Sequence, residues 1–224
     1  MHKVMFIGAH PDDVELGCGG LIDKLVKEGS VVKAVSIAEG TSCRGGYENE
    51  IKKAIKFRTD CSIKSLDSLG VQLHSFHNLP CGSLNSIPLL TVNKIIEQEI
   101  REFKPECVYT HSINDANVDH KIIYESTIIA TRPGANNPVK EVYSYEVLSS
   151  TEWNFNETFK PNVFVGLSPD NLTKKIKAFN FYESEQQKFP HPRCGKGITT
   201  LANYRGMQIG EQYAEAFQLI RSKR

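Results

Sequence analysis

No two cysteines of this chain stand close enough to pair as zinc ligands of the usual spacing. The six lie at positions 18, 43, 61, 81, 107 and 194, with separations of 25, 18, 20, 26 and 87 residues. Without a CxxC pair a structural zinc site is not expected, and the thiols are read as free in a reducing compartment. Long apolar runs are also missing. None approaches the ~20 residues of a membrane span, and the short apolar stretch near Met1 runs straight into acids, unlike a signal peptide. A cytoplasmic protein without a membrane span is expected. Charge of one sign is missing too: 27 Lys and Arg oppose 26 Asp and Glu, a net charge of +1. A basic surface able to release counterions from nucleic acid is therefore not expected. No repeat, low-complexity tract or linker divides the 224 residues, so one domain over 1–224 with a full core is expected.

What is present is an alternation of strand and helix signals over the first ~130 residues, the pattern of a mostly parallel α/β sheet with crossover helices. Strand-like KVMFIGA (3–9) precedes a helix near 16–28 closed by Gly29. VVKAVSIA (31–38) leads through a glycine-rich loop to a helix near 48–68, with Gly70 closing it. A short strand at 71–76 and a loop at 77–88 precede a helix at 89–103, stopped by Pro105. A strand at 106–111 and a loop to 119 precede a helix from His120, halted by Pro133. The last third, about 140–224, reads as less regular. It has strands at 141–148 and 162–167, a capped helix from Ser168 and one or two short segments around Gly206 and Gly210, and it is expected to complete the substrate pocket.

Two of the strands empty into loops rich in carboxylates and imidazoles. The first opens into His10-Pro11-Asp12-Asp13, the second into Asp115-Ala-Asn117-Val-Asp119-His120. Parallel strands bring their carboxyl ends to one edge, where ligands bind at a switch in strand order. His10, Asp13 and His120 together offer two nitrogens and one carboxylate, leaving a coordination position open for water. Pro11 keeps His10 out of helical geometry. In an extended segment Asp12 and Asp13 point to opposite sides, so Asp13 is read as a ligand and Asp12 as a base facing water. Asp119 either orients an imidazole or caps the following helix. His111 either joins the site or packs at a strand end. Pro-Asp-Asp is also good turn chemistry, and it is the joint occurrence of both loops that favours a metal site. His191-Pro192-Arg193 either caps the pocket from the C-terminal part or forms a surface loop. His2, His74 and His77 are read as surface or core residues. Gly17-Cys18-Gly19-Gly20 falls outside G-x-G-x-x-G, so a dinucleotide site is only weakly indicated.

At AHPDDVELGCGG and DANVDH the chain resembles the PIG-L/LmbE-like family of metal-dependent N-deacetylases. Arg58 with the helix to Leu69-Gly70-Val71, Leu79-Pro80, Lys104-Pro105, Tyr109-Thr110-His111, Thr131-Arg132-Pro133 and Tyr213-Ala214-Glu215-Ala216-Phe217 extend the resemblance over nearly the whole chain. It implies a Rossmann-like three-layer α/β fold and a zinc-dependent hydrolase, with iron(II) or another divalent transition metal as alternatives. It also implies an N-acetylated sugar or sugar conjugate as the small-molecule partner. Related proteins are often multimeric, so a homo-oligomer is an expectation. Within the resemblance His10, Asp13 and His120 hold the metal, Asp12 is the general base, Asp119 supports the site and Arg58 contacts substrate. Many members carry histidine where this chain has Asn117. An amide can donate to an oxyanion but cannot act as an acid near neutral pH, so Asp12, or a histidine such as His191, must return the proton. Cys61 is a second departure, at a place where the family's helix often has glutamate. Two alternatives stay open: hydrolysis of another amide on the same metal platform, and a non-catalytic Rossmann-like nucleotide-binding module.

Overall fold

The computed structural model describes residues 2–45, 50–134 and 137–223. Among these residues thirteen α-helices and β-strands follow in order. They are β1 Lys3–Gly8, α1 Asp13–Lys27, β2 Val31–Ala38, α2 Ile51–Ser68, β3 Leu73–Leu79, α3 Leu89–Phe103, β4 Cys107–His111, α4 Val118–Ala130, β5 Glu141–Tyr145, β6 Val163–Gly166, α5 Pro169–Phe179, α6 Gly195–Met207 and β7 Ala214–Ser222. The strands form one sheet in the order β3-β2-β1-β4-β5-β7-β6. Neighbours from β3 through β5 run parallel, and β7 is antiparallel to both β5 and β6. The chain moves outward from β1 to β2 and β3, then restarts on the other side of β1 with β4. That reversal opens a crevice between the carboxyl ends of β1 and β4.

Period-two alternation along the central strands explains the three layers. Val4 and Phe6 of β1 pack with Val32, Ala34, Tyr109 and Tyr145 into the core under α1, α2, α5 and α6. Met5 and Ile7 join Val35, Ile37, Val108 and Val142 against α3 and α4. Because β1 is covered on both faces it reads as a continuous apolar run. Helix α3 is amphipathic by the same logic: Val92, Ile96, Ile100 and Phe103 form its buried stripe.

Several boundaries differ from the sequence reading. Helix α1 begins at Asp13, three residues before the expected start, so the metal-ligand candidate is itself helical. The first two residues of the expected 48–68 helix lie outside the described residues. Strand β3 continues to Leu79, through residues read as loop. Helix α4 begins at Val118, because the Asn117 side chain accepts from the Asp119 backbone N–H and caps it. Strand β5 stops at Tyr145, before the expected Leu148. The C-terminal tail, read as short segments, holds the 13-residue helix α6 and the 9-residue strand β7.

The Gly17–Gly20 run is a packing face. A Cβ at Gly17 would lie 2.4 Å from Tyr145 Cδ2, one at Gly20 2.5 Å from Leu167 Cδ1, and one at Gly19 3.0 Å from Lys175 Cγ. These glycines let α1 approach its neighbours closely, and the space a phosphate would need is filled by side chains. This packing removes the glycine run as a dinucleotide-binding signal.

Candidate active site

Strand β1 delivers Ala9 and His10 to the carboxyl edge, and the chain then reverses into α1. The reversal is made at Asp12, which has φ 106° and ψ −24°, a region few non-glycine residues occupy. It is this left-handed corner, rather than strand alternation, that separates the Asp12 and Asp13 side chains. The His10 backbone N–H donates to Asp13 Oδ2 at 2.7 Å and closes the turn.

His10, Asp13 and His120 converge. His10 Nδ1 lies 3.5 Å and His120 Nε2 3.4 Å from the same oxygen, Asp13 Oδ2, and one donor atom from each residue falls within 4.8 Å of the others. Each imidazole has its other nitrogen on a carboxylate. His10 Nε2 is 2.9 Å from Asp119 Oδ2, and His120 Nδ1 is 3.1 Å from Asp115 Oδ2. Such a partner fixes the tautomer and leaves the remaining nitrogen free to ligate. Asp119 is not free to cap α4. Its carboxylate crosses to His10 and accepts from the backbone N–H groups of Gly82 (2.6 Å) and Leu84 (3.1 Å). Asp115, which sequence reasoning passed over, plays the matching part for His120, fixed by Thr151 Oγ1 at 2.6 Å and by Ser150 Oγ.

Charge at this point is strongly biased. Burial lowers the basicity of His10 and His120, yet Asp119 and Asp13 hold His10 up at about 9, and Asp13 and Asp115 hold His120 up at about 10. Burial raises Asp13, but the charged His120 above all pulls it well below the usual carboxylate range. Three carboxylates thus surround two imidazoles, and the pocket favours positive charge that a divalent cation would supply. The donor set fits zinc or iron(II). Among the described residues two other trios share this spacing, His111 with Asp115 and His120, and His10 with Cys81 and Asp119. They are less available: Asp115 is taken up by hydroxyls and His120, Asp119 by two backbone N–H groups, and His111 Nε2 accepts from the Ala9 N–H at 2.8 Å. His111 stacks on His120 with ring centroids 3.8 Å apart, and burial, then His120, pushes it down to about 4. It is a neutral wall of the site.

Asp12 is the other half of the centre. Its Oδ2 accepts from Arg58 Nη2 at 2.8 Å and lies 3.0 Å from Arg193 Nη1, while its Oδ1 is buried with no hydrogen-bond partner among the described residues. Burial pushes the Asp12 carboxyl up, against the pull of Arg193 and Arg58. Arg58 is 5% exposed and also donates to the Pro11 carbonyl at 2.7 Å. Arg58 thus braces Asp12, and it also lines the cleft in which the sequence reading had it contact substrate. The acid absent at Cys61 is supplied from the C-terminal third: Glu185 lies 2.5 Å from Arg58 Nη1, accepts from Arg193 Nη1 at 2.5 Å and pairs with Arg44. Glu185 belongs to no motif, and nothing in the sequence signalled it.

His10, Asp12, Asp13, Arg58, His120, Glu185 and Arg193 face a cleft of about 350 Å³ that is also lined by Asn117, Trp153, His191 and Cys81. The Asn117 Oδ1 must be the atom that accepts from the Asp119 N–H, at 2.9 Å, so its amino group is the one turned away from the helix. Trp153 and His191 meet edge to face, with centroids 5.9 Å apart. His191 thus lines the cleft, and its Nδ1 accepts from the Arg193 N–H at 3.1 Å.

A crevice at the switch point of a three-layer α/β sheet, lined by two carboxylate-held imidazoles and a further carboxylate, defines a class: α/β proteins with a candidate cation site at the carboxyl edge of the sheet. The chain belongs to the PIG-L family, described as GlcNAc-PI de-N-acetylase, whose pattern matches residues 5–131. The diacetylchitobiose deacetylase of Thermococcus kodakarensis is 27% identical over 225 residues, covering 97% of this chain and 83% of that protein. Among solved structures, N,N'-diacetylchitobiose deacetylase from Pyrococcus horikoshii superposes with a TM-score of 0.81 at 23% identity, covering 98% of this chain and 84% of that one. GalB, the 4-carboxy-2-hydroxymuconate hydratase of Pseudomonas putida, superposes with a TM-score of 0.78 at 20% identity, covering 100% and 98%. The fold is shared by these proteins, and the reaction is not read from it.

Proposed function

We propose that this chain is a metal-dependent hydrolase that removes the acetyl group from an N-acetylated sugar or sugar conjugate. One observation carries the reading: His10 Nδ1, Asp13 and His120 Nε2 converge in a cleft that Asp12 also lines, and Asp12 Oδ1 has no hydrogen-bond partner among the described residues. Zinc or iron(II) held by His10, Asp13 and His120 would supply Lewis acidity toward an amide carbonyl and make water acidic near neutral pH. Asp12 Oδ1 accepts the proton of the attacking water. Arg58 and Arg193 keep the same carboxylate in place through Oδ2, and burial favours its protonated form once the proton has arrived. Asn117, through its amino group, donates to the developing oxyanion. Asp12 then returns its proton to the leaving amine as acetate departs. Trp153 and His191 frame the mouth of the cleft, where a pyranose ring has an aromatic face to lie against. The name of the Thermococcus kodakarensis relative supports an N-acetylated carbohydrate as substrate.

The test is incubation of the zinc- or iron(II)-loaded protein with a panel of N-acetylated sugars and conjugates, following free amine and acetate together. Equal release of both is expected for at least one of them. Ammonia release would move the chain to a different amide chemistry. Turnover of an unsaturated acid with no acetate would move it to the hydratase side of the fold.

A further inference from the structure

Six cysteines without a motif spacing give no reason from sequence to expect any two to meet. Cys43 and Cys81 nevertheless touch on the rim of the cleft, Sγ to Sγ 2.6 Å. Cys43 is exposed and Cys81 is 6% exposed. The segments that carry them are joined independently of the thiols. Glu39, just beyond β2, accepts from the Thr41 N–H (2.5 Å) and Ser42 N–H (3.0 Å) on one oxygen and from the Cys81 N–H (3.0 Å) on the other. Gly82 has φ +70°, and a Cβ there would come within 2.9 Å of Cys43 Cβ, so the turn after Cys81 is shaped to admit Cys43. Joining the sulfurs therefore asks for side-chain rotation and little main-chain movement.

We propose that Cys43 and Cys81 form a reversible disulfide, a redox modification site on the rim of the cleft, with a peroxide as oxidant. Cys43 is the sulfur a peroxide can reach. Its thiolate attacks one peroxide oxygen, the O–O bond breaks, and water leaves after taking up the thiol proton, giving a sulfenic acid. The Cys81 sulfur then displaces the sulfenic hydroxyl, which departs as water with the Cys81 proton. In sum two thiols and one hydrogen peroxide give one disulfide and two waters, a two-electron oxidation of sulfur matched by reduction of the peroxide. An added dithiol reverses it by exchange. The cross-link ties the segment bearing Arg44, partner of Glu185, to the segment whose Gly82 and Leu84 N–H groups hold Asp119 and, through it, His10.

The full chain is treated with equimolar hydrogen peroxide, alkylated and digested without reductant. The wild type is expected to lose two of its six thiols, yield a linked peptide joining Cys43 to Cys81, and recover both thiols with dithiothreitol. Cys81→Ser should form no link and should carry a dimedone-trapped sulfenic acid at Cys43. Cys43→Ser, a change at an exposed position, should leave Cys81 reduced. Cys43 and Cys81 both remaining alkylatable in the oxidised wild type, or either one linked to a different cysteine, would overturn the proposal.

Discussion

Asp12 holds one carboxylate oxygen on two guanidinium groups and the other on no hydrogen-bond donor among the described residues, at a backbone angle seldom seen outside glycine. Removing the whole side chain would leave Arg58 and Arg193 short of a partner, and breaking a buried pair in this way costs about 3–5 kcal/mol. Asparagine is the cleaner probe, because it tolerates positive φ and keeps an oxygen for Arg58. Asp12→Asn is expected to lower kcat by roughly 10²–10⁴-fold, the range for a lost general base, while elemental analysis after dialysis finds metal still bound. Wild-type turnover in that variant would remove Asp12 from proton transfer. Asp115 makes a separate prediction. Its partner His120 keeps a free nitrogen for ligation whatever happens to Asp115, so Asp115→Asn should still bind zinc, at an affinity lower by about 10–100-fold in a competition titration. His10, Asp13 and His120 were legible because they close two short motifs at strand ends. The job of Asp115 was hidden, since a residue five positions from its partner shows no contact until the loop is folded. Glu185 was invisible for a plainer reason: its three arginines come from residues 44, 58 and 193, and only the tertiary path brings them together.

At the scale of elements, α1 starts at the strand-end turn and carries a candidate ligand, Asp13, and a glycine face within fifteen residues. Alanine at Gly17 would improve helix propensity by roughly 0.5–1 kcal/mol, but its Cβ would sit 2.4 Å from a Tyr145 ring that is fully buried. The ring cannot yield easily, because its hydroxyl donates to the Ile7 carbonyl at 2.8 Å. Overpacking should win, and Gly17→Ala is expected to lose about 1–3 kcal/mol in urea unfolding; a gain in stability would mean that α1 does not press on β5 as described. Helix α3 is tied to the sheet by Glu99, which accepts from His77 at 2.8 Å and pairs with Lys33 at 2.6 Å. Burial pushes this carboxyl up, but His77 and Lys33 outweigh it and hold it down at about 2 against an ordinary 4.5. The folded chain favours the ionised form, so the stabilisation is present above pH 4.5 and fades as the pH falls toward 2. Glu99→Gln should lower stability at pH 7 by roughly 1–2 kcal/mol after solvent screening, and the gap to wild type should close over that acid range. A gap that stays constant from pH 7 to pH 2 would rule out the carboxylate as its origin. The regular elements up to α4 were legible because their apolar periodicity follows burial. Helix α6 and strand β7 were not: α6 buries Gly197, Ala202, Arg205 and Gly206 beside a single large aliphatic residue, Ile198, and β7 buries Glu215 among alanines. Glu215 is paid for by Lys175 and by the N–H groups of Gly20 and Leu21, partners that no sequence window displays.

For the whole molecule, alternating strand and helix signals announced a parallel sheet, and two loaded loops announced its ligand edge. Strand order is a different kind of information. The insertion of β7 between β5 and β6 depends on which edge is left free once the first five strands are paired, and no local pattern encodes it. The candidate centre draws on chain segments far apart in sequence: the β1–α1 corner, the turn after β3 that holds Asp119, the β4–α4 loop, and Ser150 with Thr151 behind Asp115. A cation bound there engages a set of groups that the unfolded chain does not hold together, so binding must add to folding stability by mass action. At a free concentration of a hundred times Kd the gain is about 2.7 kcal/mol, which for a chain of this size raises Tm by roughly 5–10 °C. A thermal melt with zinc against one with a chelator reads this directly. His120→Ala, which removes one donor, should lose most of the difference, whereas Glu99→Gln, away from the centre, should keep it. A zinc-dependent rise of the same size in His120→Ala would place the stabilising ion elsewhere and dissolve the link between the β1 and β4 loops.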